Sequence, residues 1–140
     1  MMIARRGAHL SMRGRAPPSL DDLEAIGREA LKTIPEALRL HVRNVVLRVD
    51  EFPDETTEEE MGLESPFDLL GLYRGVSLDR KSAVAAAHDV DMIFLYRRPI
   101  LDYWCETGEE LEEIVRHVLI HEIGHHFGFS DDDMMRIEAS

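Results

Sequence analysis

Hydrophobic and polar positions follow two rhythms along the chain, and the switches between them mark its elements. Leu20, Leu23, Ile26, Ala30 and Leu31 recur at helical spacing. Ser19 stands where an N-cap belongs, Asp21 and Asp22 put negative charge in the first turn, and Pro35 closes the segment. Pro35 also suits the start of a short second helix to about Leu40. From Val42 to Phe52 the character changes: Val45, Val46, Leu47 and Val49 are β-prone, and Pro53 ends this first strand. Asp54 to Glu60 holds five acids in seven residues and reads as a solvated loop or one exposed helical turn. Phe67 to Leu78 reads as a second strand kinked at Gly71 and Gly75. Asp79 to Asp89 is polar and then alanine-rich. Asp91 to Tyr96 is a third strand, and Pro99 opens a short helix through Trp104.

Thr107 and Glu110 have capping-box spacing. Leu111, Ile114, Val115, Val118 and Leu119 then predict a long helix to about Phe127, with Gly128 placed to stop it. Ser130 and Asp133 start a last short helix, Asp131 to about Ala139. The order is helix, strand, strand, strand, helix, helix. It predicts an α+β domain: a small sheet of three to four strands packed with an N-terminal and a C-terminal helix.

Residues 1–18 do not join this pattern. They carry Arg5, Arg6, Arg13 and Arg15, no acid and no helical period. They read as a disordered basic tail ahead of a single domain at 19–140, and 140 residues suffice for one ordinary domain. The net charge is −12, and the tail's +4 leaves −16 on the body, from 12 bases against 28 acids. So acidic a body repels a nucleic-acid backbone, and nucleic acid is not expected as a partner. No apolar run approaches the ~20 residues of a membrane span, so no membrane association is expected. The tail lacks the apolar core of a secretory signal. Cys105 is alone, which excludes an intrachain disulfide and makes a reducing, cytoplasmic location the expectation. A monomer is expected.

The chemistry concentrates in one helix. His121-Glu122-Ile123-Gly124-His125 is an HExxH motif. Residues four apart on a helix lie roughly 40° apart around the axis and about 6 Å along it, so both imidazoles reach one ion. Glu122, offset by one residue, stands beside the ion as a proton acceptor rather than on it. The motif continues to Asp131 as HExxHxxGxxD. Gly128 lets the chain leave the helix by a left-handed turn, which brings Asp131 back toward the histidines. Two nitrogens and an oxygen suit Zn²⁺ in an open site. Metzincins place a third histidine where this chain has aspartate. Asp132 is the rival third ligand, and Asp133 is better explained as the partner of Ser130.

Neighbouring residues read otherwise. His117 lies one turn before His121 on the same face and could approach the metal; it reads as a surface histidine, with a supporting or substrate-facing role as the alternative. His126 reads as core or hydrogen-bonded to structure. Glu138 is set aside as a ligand because 13 residues past His125 leave too little chain for a separate helix to return. Met134 and Met135 read as core of the short terminal helix. Tyr73, Tyr96, Tyr103 and Arg97 are the candidates to stabilise an oxyanion.

With these residues in place, the chain resembles the small bacterial zinc metallopeptidases of minimal zincin-like fold. The resemblance rests on VLIHEIGHHFGFSDDDMMRIE, LLGLYRGVSL and DMIFLYRRPILD, and spans roughly Ser19 to Glu138. It implies a zinc site from His121, His125 and Asp131, with Glu122 as catalytic base. The expected function is zinc-dependent hydrolysis of peptide bonds in a peptide or protein substrate. That substrate would lie along an edge strand, for which the third strand, Asp91 to Tyr96, is the candidate. A non-catalytic zinc- or peptide-binding module is the alternative. A metal-dependent endoribonuclease is a further one, disfavoured by the acidic body and by Glu122.

Overall fold

A three-stranded mixed sheet forms the centre of the chain, in a computed structural model that describes residues 16–42, 44–75 and 91–139. The elements are α1 (Leu20–Thr33), α2 (Glu36–Arg39), β1 (Val46–Asp50), α3 (Glu55–Met61), β2 (Gly71–Arg74), β3 (Met92–Tyr96), α4 (Arg97–Thr107), α5 (Leu111–His126) and α6 (Asp131–Ala139). The expected α+β class is the one observed. Strand order is β1-β3-β2, with β1 parallel and β2 antiparallel to β3. The basic tail expected over residues 1–18 lies outside the described residues as far as residue 15. At its end, the Pro18 carbonyl accepts a hydrogen bond from Arg97 Nε at 2.6 Å.

Local chemistry accounts for most element ends. Ser19 and Asp22 cap α1 reciprocally, at 3.0 and 2.9 Å. Asp54 accepts from the Thr57 amide at 2.7 Å, and that cap turns the acidic 54–60 stretch into seven residues of helix. The segment expected as strand from Phe67 divides instead: a 3-10 turn at Pro66–Asp68, capped by Ser65, precedes the four residues of β2. The rest of the expected strand, beyond Gly75, and the whole Asp79–Asp89 stretch lie outside the described residues. Helix α4 starts two residues before Pro99, which occupies the first turn, where no helical donor is needed. Thr107 does not cap α5. Its hydroxyl donates to the Tyr103 carbonyl at 2.9 Å, closing α4, and Glu110 is the α5 N-cap without a side-chain bond.

Helix α5 packs across the sheet and against α1. Its apolar positions Leu119, Ile120 and Ile123 are fully buried with Leu23, Leu38, Ile93 and Leu95. It meets β2 at Gly71, where a Cβ would lie 2.6 Å from Val118 Cγ1, so only glycine admits this approach. The order also revises the expected substrate edge. β3 is paired on both sides, and among the described residues the edges are β1 and β2.

Helix α6 packs back onto the domain chiefly through Met134, with Ile137 partly buried against the core. Met134 is fully buried, whereas Met135 is 65 % exposed, so only the first methionine belongs to the core. Met134 sits over Gly124, where a Cβ would fall 2.9 Å from its Cγ and closer still to its sulfur. Met134→Ala should therefore destabilise the fold by about 2–5 kcal/mol. Urea unfolding checks this. A change below ~0.5 kcal/mol would mean that α6 does not depend on this contact.

Candidate metal centre

The turn after α5 closes as the sequence anticipates. Gly128 has φ 84°, the Phe129 amide donates to the Gly124 carbonyl at 2.8 Å, and the Gly128 amide donates to the His125 carbonyl at 3.2 Å. These two bonds form a Schellman motif, which reverses the chain. Ser130 and Asp133 then cap α6 reciprocally at 3.1 and 3.0 Å. The reversal places Asp131 at the head of α6, beside the end of α5.

His121, His125 and Asp131 come together there. One possible ligand atom from each lies within 4.8 Å of the others. His125 Nε2 and Asp131 Oδ1 are 3.2 Å apart, and the His121 and His125 rings meet edge to face at 5.9 Å. Donors around a tetrahedral zinc ion with bonds of 2.0–2.1 Å stand about 3.3 Å apart. Two imidazoles and a carboxylate at this spacing fit such an ion, and the exposed His125 and Asp131 leave one side open. Asp133 is occupied with Ser130 and Arg136.

Glu122 sits inward of these groups, beneath β2. Tyr96 donates its amide to the Leu70 carbonyl at 2.9 Å, and Leu72 pairs with Phe94. That alternation turns the backbone groups of Gly71 and Tyr73 to the outer edge of the sheet. The Tyr73 amide accordingly makes a long contact of 3.4 Å to Glu122 Oε1. Burial pushes the Glu122 carboxyl above the usual glutamate range, while the Tyr73 amide and His125 pull it partly back.

Two expectations about neighbouring residues change, and a third gains a partner. Glu138 does return: two turns of α6 bring its carboxylate to His121 Nε2 at 3.3 Å and to His117 Nδ1 at 3.0 Å. Short capped turns reverse a chain in few residues, which the spacing argument overlooked. His117 is exposed as expected, but it is tied to Glu138 and stacks on His121 at 4.0 Å. His126 is exposed rather than core, with its ring stacked on Tyr73 at 4.0 Å. Of the oxyanion candidates, Tyr73 donates to Asp91 at 2.6 Å, Tyr103 to Glu109, and Arg97 to Glu51 and the Pro18 carbonyl. Tyr96 is buried. The Tyr73 amide and the His117–Glu138 pair were missed. The repeated four-residue step His117, His121, His125, facing acids seven residues apart, was the signal for the pair.

A family model described as a zincin-like metallopeptidase matches residues 42–140. The chain belongs to that family, and the metal implied by it fits the donors just described. The small mixed sheet and the motif-bearing helix agree with a minimal zincin-like fold. No curated protein matches the chain. Among the described residues, no helix is long and apolar enough to cross a membrane.

The tyrosines beneath the centre set an alkaline limit. Burial and the Asp91 carboxylate hold the Tyr73 phenol protonated, and burial with Asp50 pushes Tyr96 up to about 12. A phenol raised in the folded state stabilises the fold fully below the ordinary tyrosine value near 10. That contribution is lost as pH rises through the folded values. Stability should thus hold to about pH 10 and fall steeply from there toward pH 12. Tyr73→Phe should show a shallower fall in urea midpoints across that range. An identical slope would remove Tyr73 from the effect.

Proposed function

We propose that the protein is a zinc-dependent peptidase whose metal is held by His121, His125 and Asp131, with Glu122 as general base. The observation that carries this is the position of Glu122, between a metal-competent triad and the outer edge of β2, which pairs with no further strand among the described residues. When bound, zinc supplies a Lewis acid for the scissile carbonyl and lowers the pKa of its coordinated water. The chain's own groups do the rest. Glu122, one residue past a ligand and within reach of the same face, accepts the proton of the attacking water. It then passes that proton to the leaving amine. Its partly buried carboxylate and the Tyr73 amide hold the accepting oxygens in place, so little rearrangement is needed at the moment of transfer.

An extended peptide or protein segment would lie along the outer edge of β2, where Gly71 and Tyr73 present backbone groups. This replaces β3, which has no free side. The exposed third ligand favours an extended segment that can reach it from the solvent side. The one free cysteine, exposed Cys105, supports a reducing cytoplasmic setting.

Glu122→Gln keeps shape but cannot accept a proton at neutral pH. It should bind zinc like the wild type and cleave a peptide library roughly 10²–10⁴-fold more slowly. Zinc content by elemental analysis and cleavage by mass spectrometry read both quantities. Equal cleavage would remove Glu122 from the mechanism, and lost zinc would make it a ligand.

The third ligand has its own test. Asp131→Ala should weaken zinc binding in a chelator competition, while Asp132→Ala should leave it unchanged. The reverse pattern would move the ligand by one residue.

A further inference from the structure

Helix α5 carries three histidines at one spacing, His117, His121 and His125, and the peptidase reading uses only two of them. Asp131 and Glu138 lie seven residues apart on α6, two turns on one face. They lie against this ladder in order: Asp131 meets His125, and Glu138 meets His121 and His117. The first half of the ladder is thus built like the second. His117, His121 and Glu138 each offer a ligand atom within 4.8 Å of the others. Glu138 divides its carboxylate between them, Oε2 to His117 Nδ1 at 3.0 Å and Oε1 to His121 Nε2 at 3.3 Å. Those separations match the spacing of about 3.3 Å between donors on a tetrahedral ion. The Glu138 side chain is also three-quarters covered, at 24 % exposure, against 81 % for Asp131.

We infer that His117, His121 and Glu138 form a second station for a divalent transition-metal ion, sharing His121 with the first. Two imidazoles and a carboxylate suit Zn²⁺ and its late first-row neighbours. Because His121 serves both sets, the chain holds one ion, at one station or the other. On the helix, Glu122 lies roughly 60° around from His125 but about 140° from His117. An ion at the second station therefore stands on the far side of His121 from the proton acceptor. It is bound but not placed for hydrolysis.

The test is zinc competition against a chromophoric chelator on the full chain, with circular dichroism to show that each variant is folded. His117 and His125 are 58 % and 53 % exposed, so removing them leaves the core intact. Wild type should bind one zinc, and His125→Ala should still bind one. Adding His117→Ala or Glu138→Gln to His125→Ala should weaken that residual binding at least tenfold. His121→Ala alone should weaken binding more than either His117→Ala or His125→Ala. If His125→Ala binds no better than the double variants, the station does not exist and Glu138 only hydrogen-bonds the imidazoles. Two zinc ions on the wild type would overturn the sharing of His121. The peptidase reading fails separately, if His125→Ala leaves wild-type affinity untouched.

Discussion

The close approach of two helices at Gly124 is the constraint on which the rest of this centre depends. Met134 fills the space that any Cβ at Gly124 would claim, and it is the one fully buried side chain of α6. With that contact made, Asp131 and Glu138 fall opposite the histidine ladder without further adjustment. A larger residue at 124 would push α6 outward and separate both acids from their imidazoles. Overpacking of this kind costs about 1–3 kcal/mol, more than the gain in helix propensity from replacing a glycine. Gly128 then fixes direction: its left-handed φ lets the chain reverse within three residues, so that one capped turn delivers the third group.

The other side of α5 is set by the sheet. Val118 against Gly71 brings the helix close under β2, and four residues later Glu122 stands below the edge amide of Tyr73. The same helix therefore faces a sheet edge with one residue and an acid-bearing helix with the residues flanking it. Tyr73 ties these surfaces together. Its amide meets Glu122, its hydroxyl meets Asp91 at the head of β3, and its ring carries His126. His126 needs no interior position, because from the surface it stacks on Tyr73, whose own ring belongs to the core.

Much of this was legible in the sequence where the determining forces are local. The HExxH spacing, the reciprocal caps at Ser19 and Ser130, and the glycine stop at 128 each depend on residues within one or two turns. What was hidden depended on pairing and crossing. Thr107 has the spacing of a capping box, yet its hydroxyl donates back to the Tyr103 carbonyl and accepts from the Glu109 amide, two residues on rather than three, a choice that local pattern cannot make. β3 precedes the metal helix most closely in sequence, but it became the central strand because its two partners come from far along the chain. Glu138 was discounted on chain length alone, while its position follows from how tightly the turn closes and where Met134 docks.

Helix α6 is held by little, and this bears on the metal. One buried methionine, the partly buried Ile137, a capping box and the histidine–carboxylate contacts are among its described ties to the domain. Its first turn carries Asp131, Asp132 and Asp133, which favour the helix N-terminus but repel one another. An ion that binds α5 and α6 together binds the docked arrangement and not the undocked one, so it stabilises docking by mass action. The dependence is reciprocal. Docking through Met134 brings the candidate ligands to spacing that suits an ion, and an ion held there would offset the repulsion within the acidic first turn. With the ion proposed above in place, such a centre would need no large scaffold, because the helix that completes it would be fastened in part by what it binds.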